Sequence, residues 1–181
     1  MSTYYGMVHG RFQPFHNHHL EYALKALARC KHLIIGITNP DPLEIRQEET
    51  SEHRHLDGAN PFTFFQRMRM IRGALLGEGV APEAVSFVPF PIHHPERWPY
   101  YLPAPQDVTL FIRVFSEWEE TKVRRFRNCG WTVEVLDPGD VKGIEATQVR
   151  QRLESGGPWE ELVPEAVARV IKDLRGDRGR I

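Results

Sequence analysis

The sequence predicts an α/β domain built on a parallel sheet that is covered by helices on both faces. Short apolar runs typical of buried strands alternate along the chain with segments whose apolar residues recur at helical spacing. This alternation is the pattern of β-α-β units, in which a helix returns the chain to begin the next parallel strand. The 181 residues are enough for one domain, which we expect to span residues 1–181.

Five apolar runs predict the strands, and the run at residues 33–37 is β-branched, as in a parallel strand buried on both faces. A helix should follow Asn60 as N-cap, with Pro61 in its first position, and Gly130 should close a later one. This order predicts a Rossmann-like, doubly wound sheet. The strands are expected at residues 4–8, 33–37, 85–90, 108–114 and 131–136, and the helices at 20–27, about 60–75, 117–129 and, in short pieces, about 147–175.

Two connections are long for a compact domain. Residues 39–59 are rich in Asp, Glu, His and Arg, and residues 91–105 combine prolines with aromatic and histidine residues. A long connection is usually functional or mobile. We expect the first to order over a ligand and the second to be an ordered loop.

The overall charge gives no electrostatic reason to expect nucleic acid or a membrane as partner. The formal net charge is −1, with 26% charged and 41% hydrophobic residues. The amino-terminal residues lack a signal segment, and the sequence has no apolar run long enough to span a membrane. We therefore expect a cytoplasmic protein.

The segment from Gly10 to His19 is the most informative part of the sequence. It leaves the first strand through a glycine, turns at Pro14 and enters a helix with His16 and His19 three residues apart, near one face. Ligands of doubly wound sheets bind beyond the carboxyl ends of the strands. Free N–H groups at a helix start favour an anion, so the histidines predict a site for a phosphate whose charge grows during reaction. The alternative is that they are ordinary surface residues.

The same segment resembles the signature (H/T)xGH of the nucleotidylyltransferase superfamily. It is most similar to archaeal-type nicotinamide mononucleotide (NMN) adenylyltransferases, whose first motif reads GRFQPFHxGH. Residues 60–67 and 159–164 also match segments of that family, and residues 146–150 resemble its closing (S/G)TxxR motif. The resemblance covers most of the chain, and it implies a Mg²⁺-dependent transfer of a nucleoside monophosphate and the release of pyrophosphate. The archaeal-type relatives are usually oligomers, so a homo-oligomer is one expectation.

The resemblance also implies roles for individual residues. His16 and His19 would stabilise the α-phosphate, Arg11 would lie near the phosphates, and Thr147 with Arg150 would hold the β- and γ-phosphates. Mg²⁺ would bridge phosphate oxygens rather than occupy a protein cage. The nucleotide-binding set is Gly10, Phe12, Gln13, Pro14, His18, Thr147 and Glu145; the acceptor-binding set is Arg67, Trp98, Lys122 and Arg124.

Two of these roles have ordinary structural alternatives. Arg150 fits a solvated helix arginine paired with Glu154, four residues further on. Trp98 fits a core aromatic side chain, which is the more common environment of tryptophan.

The chain departs from the family pattern where base and acceptor should be read. His18 replaces the glycine of (H/T)xGH, Glu145 stands where the family has serine, and residues 116–120 replace an SGN-type segment. The loop at residues 41–55 is also longer than the family pattern. Since the residues that serve the phosphates are retained, we expect the same chemistry on different substrates.

The favoured interpretation is a CTP-dependent cytidylyltransferase that forms a CMP-phosphonate such as CMP-5'-phosphonoformate. An ATP:NMN adenylyltransferase that makes NAD is almost equally favoured. A non-catalytic nucleotide sensor is a remote alternative, because His16, His19 and Arg150 are all present. A nicotinamide-dependent dehydrogenase is less favoured still, because no GxGxxG follows the first strand.

Overall fold

A parallel sheet of five strands organises the part of the chain that the structure describes. The computed structural model describes residues 3–41, 60–115, 117–137 and 143–178. The strands are β1 (Thr3–Gly10), β2 (Cys30–Thr38), β3 (Val85–Phe90), β4 (Val108–Arg113) and β5 (Thr132–Leu136). Their order is β3-β2-β1-β4-β5, and every neighbouring pair is parallel. This arrangement confirms the predicted Rossmann-like α/β fold.

The strand order reverses between β1 and β4. The chain builds β1, β2 and β3 outward in one direction, then returns to place β4 on the other side of β1. A crevice forms at such a reversal beyond the carboxyl ends of the strands, and ligands of doubly wound sheets bind there. The site must therefore be sought around the ends of β1 and β4.

Within the described ranges, five α-helices lie between and after the strands. They are α1 (Asn17–Leu27), α2 (Phe64–Gly77), α3 (Glu117–Asn128), α4 (Ala146–Ser155) and α5 (Glu165–Arg178). The break between α4 and α5 begins at Gly156, whose φ of 73° is readily adopted only by a residue without Cβ. The proline-rich connection contains two 3-10 helices, Pro95–Tyr100 and Pro105–Asp107, and is therefore more regular than a loop.

The start of α2 corrects the sequence prediction. Thr63, not Asn60, is the N-cap: its hydroxyl accepts from the backbone N–H of Gln66, and the Gln66 side chain accepts from the backbone N–H of Thr63. This reciprocal pair satisfies two of the helix's free N–H groups. The segment before it is extended, and Gln13 holds it through two hydrogen bonds of 2.9 Å to the backbone of Phe62.

Both faces of the sheet are buried, because successive residues of each strand point in opposite directions. Met7 and Ile112 face a core that contains Phe126 of α3, whereas Val8 and Phe111 face a second core with the other helices. Of the long connection at residues 39–59, residues 42–59 lie outside the described residues, and so does Ser116 of the segment at 116–120 that departs from the family pattern. Among the helices that are described, none is long and apolar enough to cross a membrane.

Candidate active site

His16 and His19 lie together at the start of α1, directly beyond the end of β1. Their ring centroids are 3.5 Å apart with an interplanar angle of 21°, so the two imidazoles are stacked. The backbone N–H of His16 donates to Nδ1 of His19 at 3.4 Å. Because this nitrogen accepts, a neutral His19 carries its proton on Nε2.

A strained turn sets the position of this pair. Phe12 adopts a left-handed backbone conformation with φ of 52°, which costs about 1–2 kcal/mol for a residue with a side chain. Its buried ring packs edge-on against Phe15 and His19, with centroids 5.5 and 5.0 Å away. Burial of the two phenyl rings offsets the strain and fixes the direction in which the chain enters α1.

The environment keeps both imidazoles uncharged before a ligand binds. Burial, with a smaller contribution from His18, lowers the pKa of His16 to about 3. Burial, followed by His16, Arg113, His18 and Arg11, lowers the pKa of His19 well below 6.5. Within the described part of the chain, Nδ1 of His16 is buried without a hydrogen-bond partner. A buried, unpaired polar atom beside a second imidazole fits a site completed by a ligand.

Arg150 joins the start of α4 to the turn after β1. Its guanidinium donates from Nη1 to the carbonyl of Gln13 at 2.6 Å and from Nη2 to Oγ1 of Thr147 at 3.1 Å. Burial lowers the pKa of Arg150, and Glu154 acts in the opposite direction. The structure therefore brings the two helix starts together and makes Arg150 more than a solvated partner of Glu154.

The start of α4 contains Glu145 as N-cap, and the backbone N–H of Glu145 donates to the side chain of Gln148 at 3.0 Å. The Thr147 hydroxyl lies in the first turn of the same helix. Backbone N–H groups of a first turn attract phosphate. The predicted β- and γ-phosphate site thus contains a helix start, a hydroxyl and a guanidinium.

The turn from Gly10 to Pro14 contributes mainly through its backbone. Phe12 and Gln13 are both 2% exposed, and Gln13 is engaged with Phe62, so their side chains are committed to the fold. Any nucleotide contact from these two residues must come through main-chain atoms. Arg11 lies close enough for its charge to contribute to lowering the pKa of His19, and its role near the phosphates stays a prediction.

His18 packs against the backbone of the segment that leads into α4. A Cβ added to Gly143 would lie 2.0 Å from Cε1 and 2.8 Å from Nε2 of the His18 ring. The ring centroid of His18 is 6.3 Å from that of His16. The imidazole that replaces the family glycine therefore fills the space between the start of α1 and the approach to α4.

Arg67 was predicted to contact the acceptor or nucleotide, and the structure corrects this. Its side chain is 1% exposed, and burial lowers its pKa to about 10, so it remains charged at neutral pH. The guanidinium joins the ends of β1 and β2 to the start of α2, so its role is to hold the backbone around the site in place. Its hydrogen bonds go to the carbonyl groups of Arg11 (2.8 Å), Thr38 (2.7 Å), Asn39 (2.8 Å) and Thr63 (3.3 Å).

Trp98 was predicted to contact the acceptor, and it is a core residue instead. It is 1% exposed, and its indole N–H donates to the carbonyl of Pro91 at 2.9 Å. Its ring lies among Phe90, Phe126 and Trp131, with centroids 5.4, 4.8 and 6.2 Å away. An indole packed on several sides by rings offers no open face on which a ligand ring could stack.

The two predicted acceptor residues of α3 differ in position. Lys122 is half-buried, and its charge contributes to lowering the pKa of His9 near the carboxyl end of β1. Arg124 is exposed and interacts with its own helix, at 3.9 Å from Glu120 and 2.9 Å from Thr121. The structure thus brings Lys122, but not Arg124, to the edge of the sheet where the site lies.

Two residues near the site were not predicted from the sequence. Arg113 ends β4, and its Nη1 donates to the carbonyl of His18 at 3.2 Å. His9, the last residue but one of β1, is buried between the rings of Phe90 and Phe126, and burial lowers its pKa to about 3. A charged or titratable residue at the carboxyl end of an otherwise apolar strand is the signal that identifies both.

The donors at this site suit anions. Across the described ranges, 3–41, 60–115, 117–137 and 143–178, no three His, Cys, Asp or Glu side chains are grouped so that they could hold a metal ion. Imidazole and guanidinium N–H groups bind phosphate oxygens, whereas Mg²⁺ prefers oxygen ligands and is often held largely by substrate phosphates and water. The residues present therefore fit a Mg²⁺ ion that enters with a triphosphate.

The order of these strands, helices and motifs is that of a known family. A family model described as cytidylyltransferase-like matches residues 7–152. The chain belongs to the cytidylyltransferase-like family. Its members' reaction class agrees with the class predicted from the sequence, and the chain is an enzyme of the nucleotidyltransferase class.

Individual relatives in this family carry two different names. The chain is 45% identical over 168 residues to a phosphonoformate cytidylyltransferase of Streptomyces viridochromogenes, covering 93% of this chain and 90% of the relative. It is 32% identical over 173 residues to a nicotinamide-nucleotide adenylyltransferase of Thermococcus onnurineus, covering 94% and 83%. Among solved structures, a bifunctional NMN adenylyltransferase/ADP ribose pyrophosphatase from Francisella tularensis matches 90% of this chain and 45% of its own, with a TM-score of 0.62. At 21% identity, this last likeness concerns the fold alone.

Proposed function

We propose that the protein transfers CMP from CTP to a small phosphonate, with phosphonoformate as the acceptor to test first, and releases pyrophosphate. The observation that carries this choice is the 45% identity to a phosphonoformate cytidylyltransferase across 93% of the chain. Identity to the nicotinamide-nucleotide adenylyltransferases is lower, at 32% over a similar length.

Two features of the site agree with the choice. His18 fills space beside the catalytic pair where the adenylyltransferase motif has glycine, which reduces the room for a large base. Trp98 is packed in the core and offers no face to a nicotinamide ring. A small acceptor needs cationic and hydrogen-bonding groups rather than a stacking surface.

The reaction requires positioning and charge stabilisation rather than a covalent intermediate. A phosphonate oxygen of the acceptor attacks the α-phosphorus of CTP, and the bond from that phosphorus to the bridging oxygen of the β-phosphate breaks. The bridging oxygen leaves with the pyrophosphate. The attacking phosphonate oxygen is already ionised, so no proton has to be removed from the acceptor. Arg150, Thr147 and the start of α4 receive the departing charge.

His16 and His19 act on the α-phosphate as preorganised donors. Both are uncharged at pH 7 in the free enzyme, and Nε2 of His19 carries the proton that can be donated to a phosphate oxygen. Bound phosphate favours the charged imidazoles and raises their pKa values. Their interaction therefore strengthens as negative charge develops, which is the requirement for lowering the barrier. A Mg²⁺ ion would be held largely by the phosphates of the substrate and by water, and it would neutralise part of the triphosphate charge.

A pyrophosphate-release assay that crosses CTP and ATP with phosphonoformate and NMN tests the proposal. We expect the highest kcat/KM for CTP with phosphonoformate, and a phosphorus NMR spectrum that shows the mixed phosphonate–phosphate product. Efficient NAD formation from ATP and NMN, without turnover of CTP, would instead identify an adenylyltransferase. Nucleotide binding without turnover of any pair would identify a sensor.

A further inference from the structure

Arg113 is a buried cation beside the catalytic histidines. It is the last residue of β4, across the strand reversal from the end of β1, and its side chain is 8% exposed. Nη1 donates to the carbonyl of His18 at 3.2 Å, and the charge of Arg113 contributes to lowering the pKa of His19. The guanidinium therefore lies within electrostatic reach of the group on which the α-phosphate is expected to bind.

The side of this guanidinium that suits an oxyanion is the side without hydrogen bonds. Nε and Nη2 form the edge of arginine that binds a carboxylate or phosphate through two parallel bonds. Both atoms are buried without a hydrogen-bond partner among the residues that the structure describes. Leaving two donors of a buried cation unbonded is costly, so such a group needs either a partner or a ligand.

Glu21 compensates only part of the charge of the buried Arg113 guanidinium. Its Oε1 is 3.1 Å from Nη2 of Arg113, an ion-pair distance that lacks hydrogen-bond alignment. The same oxygen is 2.8 Å from Nζ of Lys25, and the Glu21 side chain is about half exposed. The ring of Tyr22 lies 5.4 Å from the centre of the guanidinium and supports it from one face.

We infer that Arg113 binds an oxyanion of the reacting substrates through Nε and Nη2, beside His19. The inference rests on the proposed function, which brings phosphate and phosphonate oxygens to the histidine pair. Two groups share this chemistry, the α-phosphate of CTP and the anionic acceptor. The steady-state constants distinguish them, because acceptor binding changes the KM of phosphonoformate and α-phosphate binding changes kcat with little effect on that KM.

A purely structural role makes a different prediction. If Arg113 only ties β4 to α1 through His18 and Glu21, then removing either member of the ion pair should have similar consequences. Glu21→Gln keeps the size of the side chain and removes its charge, so it is the matched control. A substrate-binding Arg113 should tolerate Glu21→Gln, because that change leaves the guanidinium edge available.

The test compares wild type, Arg113→Ala, Arg113→Lys and Glu21→Gln with CTP and phosphonoformate. We expect kcat/KM to fall about 100-fold or more in Arg113→Ala and to stay within about threefold of wild type in Glu21→Gln. Added guanidinium should partly restore Arg113→Ala. Arg113→Lys keeps the charge but cannot form a bidentate hydrogen bond to an oxyanion. Its kcat/KM should therefore stay at least tenfold below wild type, while its Tm stays close to that of wild type.

Equal losses in Arg113→Ala and Glu21→Gln, or an Arg113→Lys enzyme with normal kcat/KM, would overturn the inference. If Arg113→Ala does not fold, Arg113→Lys alone decides between these outcomes. Calorimetric titration with CTP and with phosphonoformate separates this inference from the proposed function. Wild-type enzyme without turnover refutes the function, whereas the same affinities for both ligands in wild type and Arg113→Lys refute the role of Arg113.

Discussion

The imidazole of His18 occupies the space that a side chain at position 143 would need. A Cβ on Gly143 would approach three ring atoms of His18 to between 2.0 and 3.0 Å, distances at which the His18 ring or one of the two segments must move. His18 is the second residue of α1, beside the His16–His19 pair, and Gly143 leads into α4, which contains Thr147 and Arg150. The residue pair therefore lies where the two halves of the candidate phosphate site meet.

Gly143→Ala should displace these halves and lower activity. We expect kcat/KM to fall at least tenfold and the free energy of unfolding to fall by about 1–3 kcal/mol. The same substitution in a His18→Gly background should have little additional effect, because the ring that it meets is gone. A double-mutant cycle on kcat/KM and on unfolding measures the coupling.

Gly77→Ala is the matched control, since a Cβ at Gly77 meets no atom within 4 Å. It should leave kcat/KM and the free energy of unfolding close to the wild-type values. Additive effects of the His18 and Gly143 substitutions would contradict the contact.

His19→Ala should reduce turnover by about 100- to 1000-fold, because one preorganised donor to the α-phosphate is lost. The ring also packs on Phe12 and Phe15, so some loss of stability is expected together with the loss of kcat. His94→Ala is the control, because His94 pairs with Glu96 on the proline-rich connection. Near-normal turnover by His19→Ala would exclude the proposed mechanism.

Arg150→Ala should weaken binding of the triphosphate and slow its reaction. The variant loses the guanidinium that joins Thr147 to the carbonyl of Gln13. We expect the KM for the triphosphate to rise about tenfold or more, as charge-assisted bonds are lost. Arg152→Ala removes another arginine of the same helix, one that bonds to Pro158 and Glu161. Similar KM values for the two variants would argue against a phosphate role for Arg150.

The sequence could predict that the residues of the candidate phosphate site lie together, because local sequence determines most of their positions. The glycine, proline and histidines between β1 and α1 are consecutive, and a strand end followed by a helix start places them at one edge of the sheet. The same is true of Thr147 and Arg150, which lie one turn apart on α4.

The remaining residues depend on contacts between distant segments. Arg67 resembles a ligand-binding arginine in sequence, yet its partners are carbonyl groups at positions 11, 38, 39 and 63. Trp98 is covered by rings from β3, from α3 and from the residue just before β5, which no local pattern reveals. The N-cap of α2 was misplaced because Asn60 and Thr63 are both residue types that favour the N-cap position. Gln66, three residues after Thr63, is the signal that favours Thr63.

Arg67→Met should destabilise the fold strongly, because it leaves four buried or partly buried carbonyl groups without a strong donor. We expect a loss of about 3–5 kcal/mol in the free energy of unfolding, measured by urea denaturation. Arg69→Met changes an exposed arginine of the same helix and should shift stability by less than about 0.5 kcal/mol. If both variants are equally stable, the guanidinium is not the link between β1, β2 and α2.

Acid should destabilise the protein through its buried histidines. Burial lowers the pKa of His9 and of His16 to about 3 in the folded protein, against about 6.5 for an unfolded chain. The unfolded state therefore binds protons first as pH falls. The stability that each neutral histidine contributes is complete above pH 6.5 and is lost progressively toward pH 3. Each group contributes a slope of up to about 1.4 kcal/mol per pH unit within this window.

His9→Phe should remove one of these slopes. His9 lies between the rings of Phe90 and Phe126 with Lys122 as the nearby cation, so a phenyl ring matches its apolar surroundings and cannot be protonated. The variant should lose less stability than wild type between pH 6.5 and pH 4, measured as the free energy of unfolding by urea at each pH. His94→Gln removes a histidine that hydrogen bonds to an exposed glutamate, and it should retain the slope of wild type. If His9→Phe and wild type fall in parallel as pH is lowered, then His9 takes up its proton equally in the folded and unfolded states and its burial does not oppose the charge.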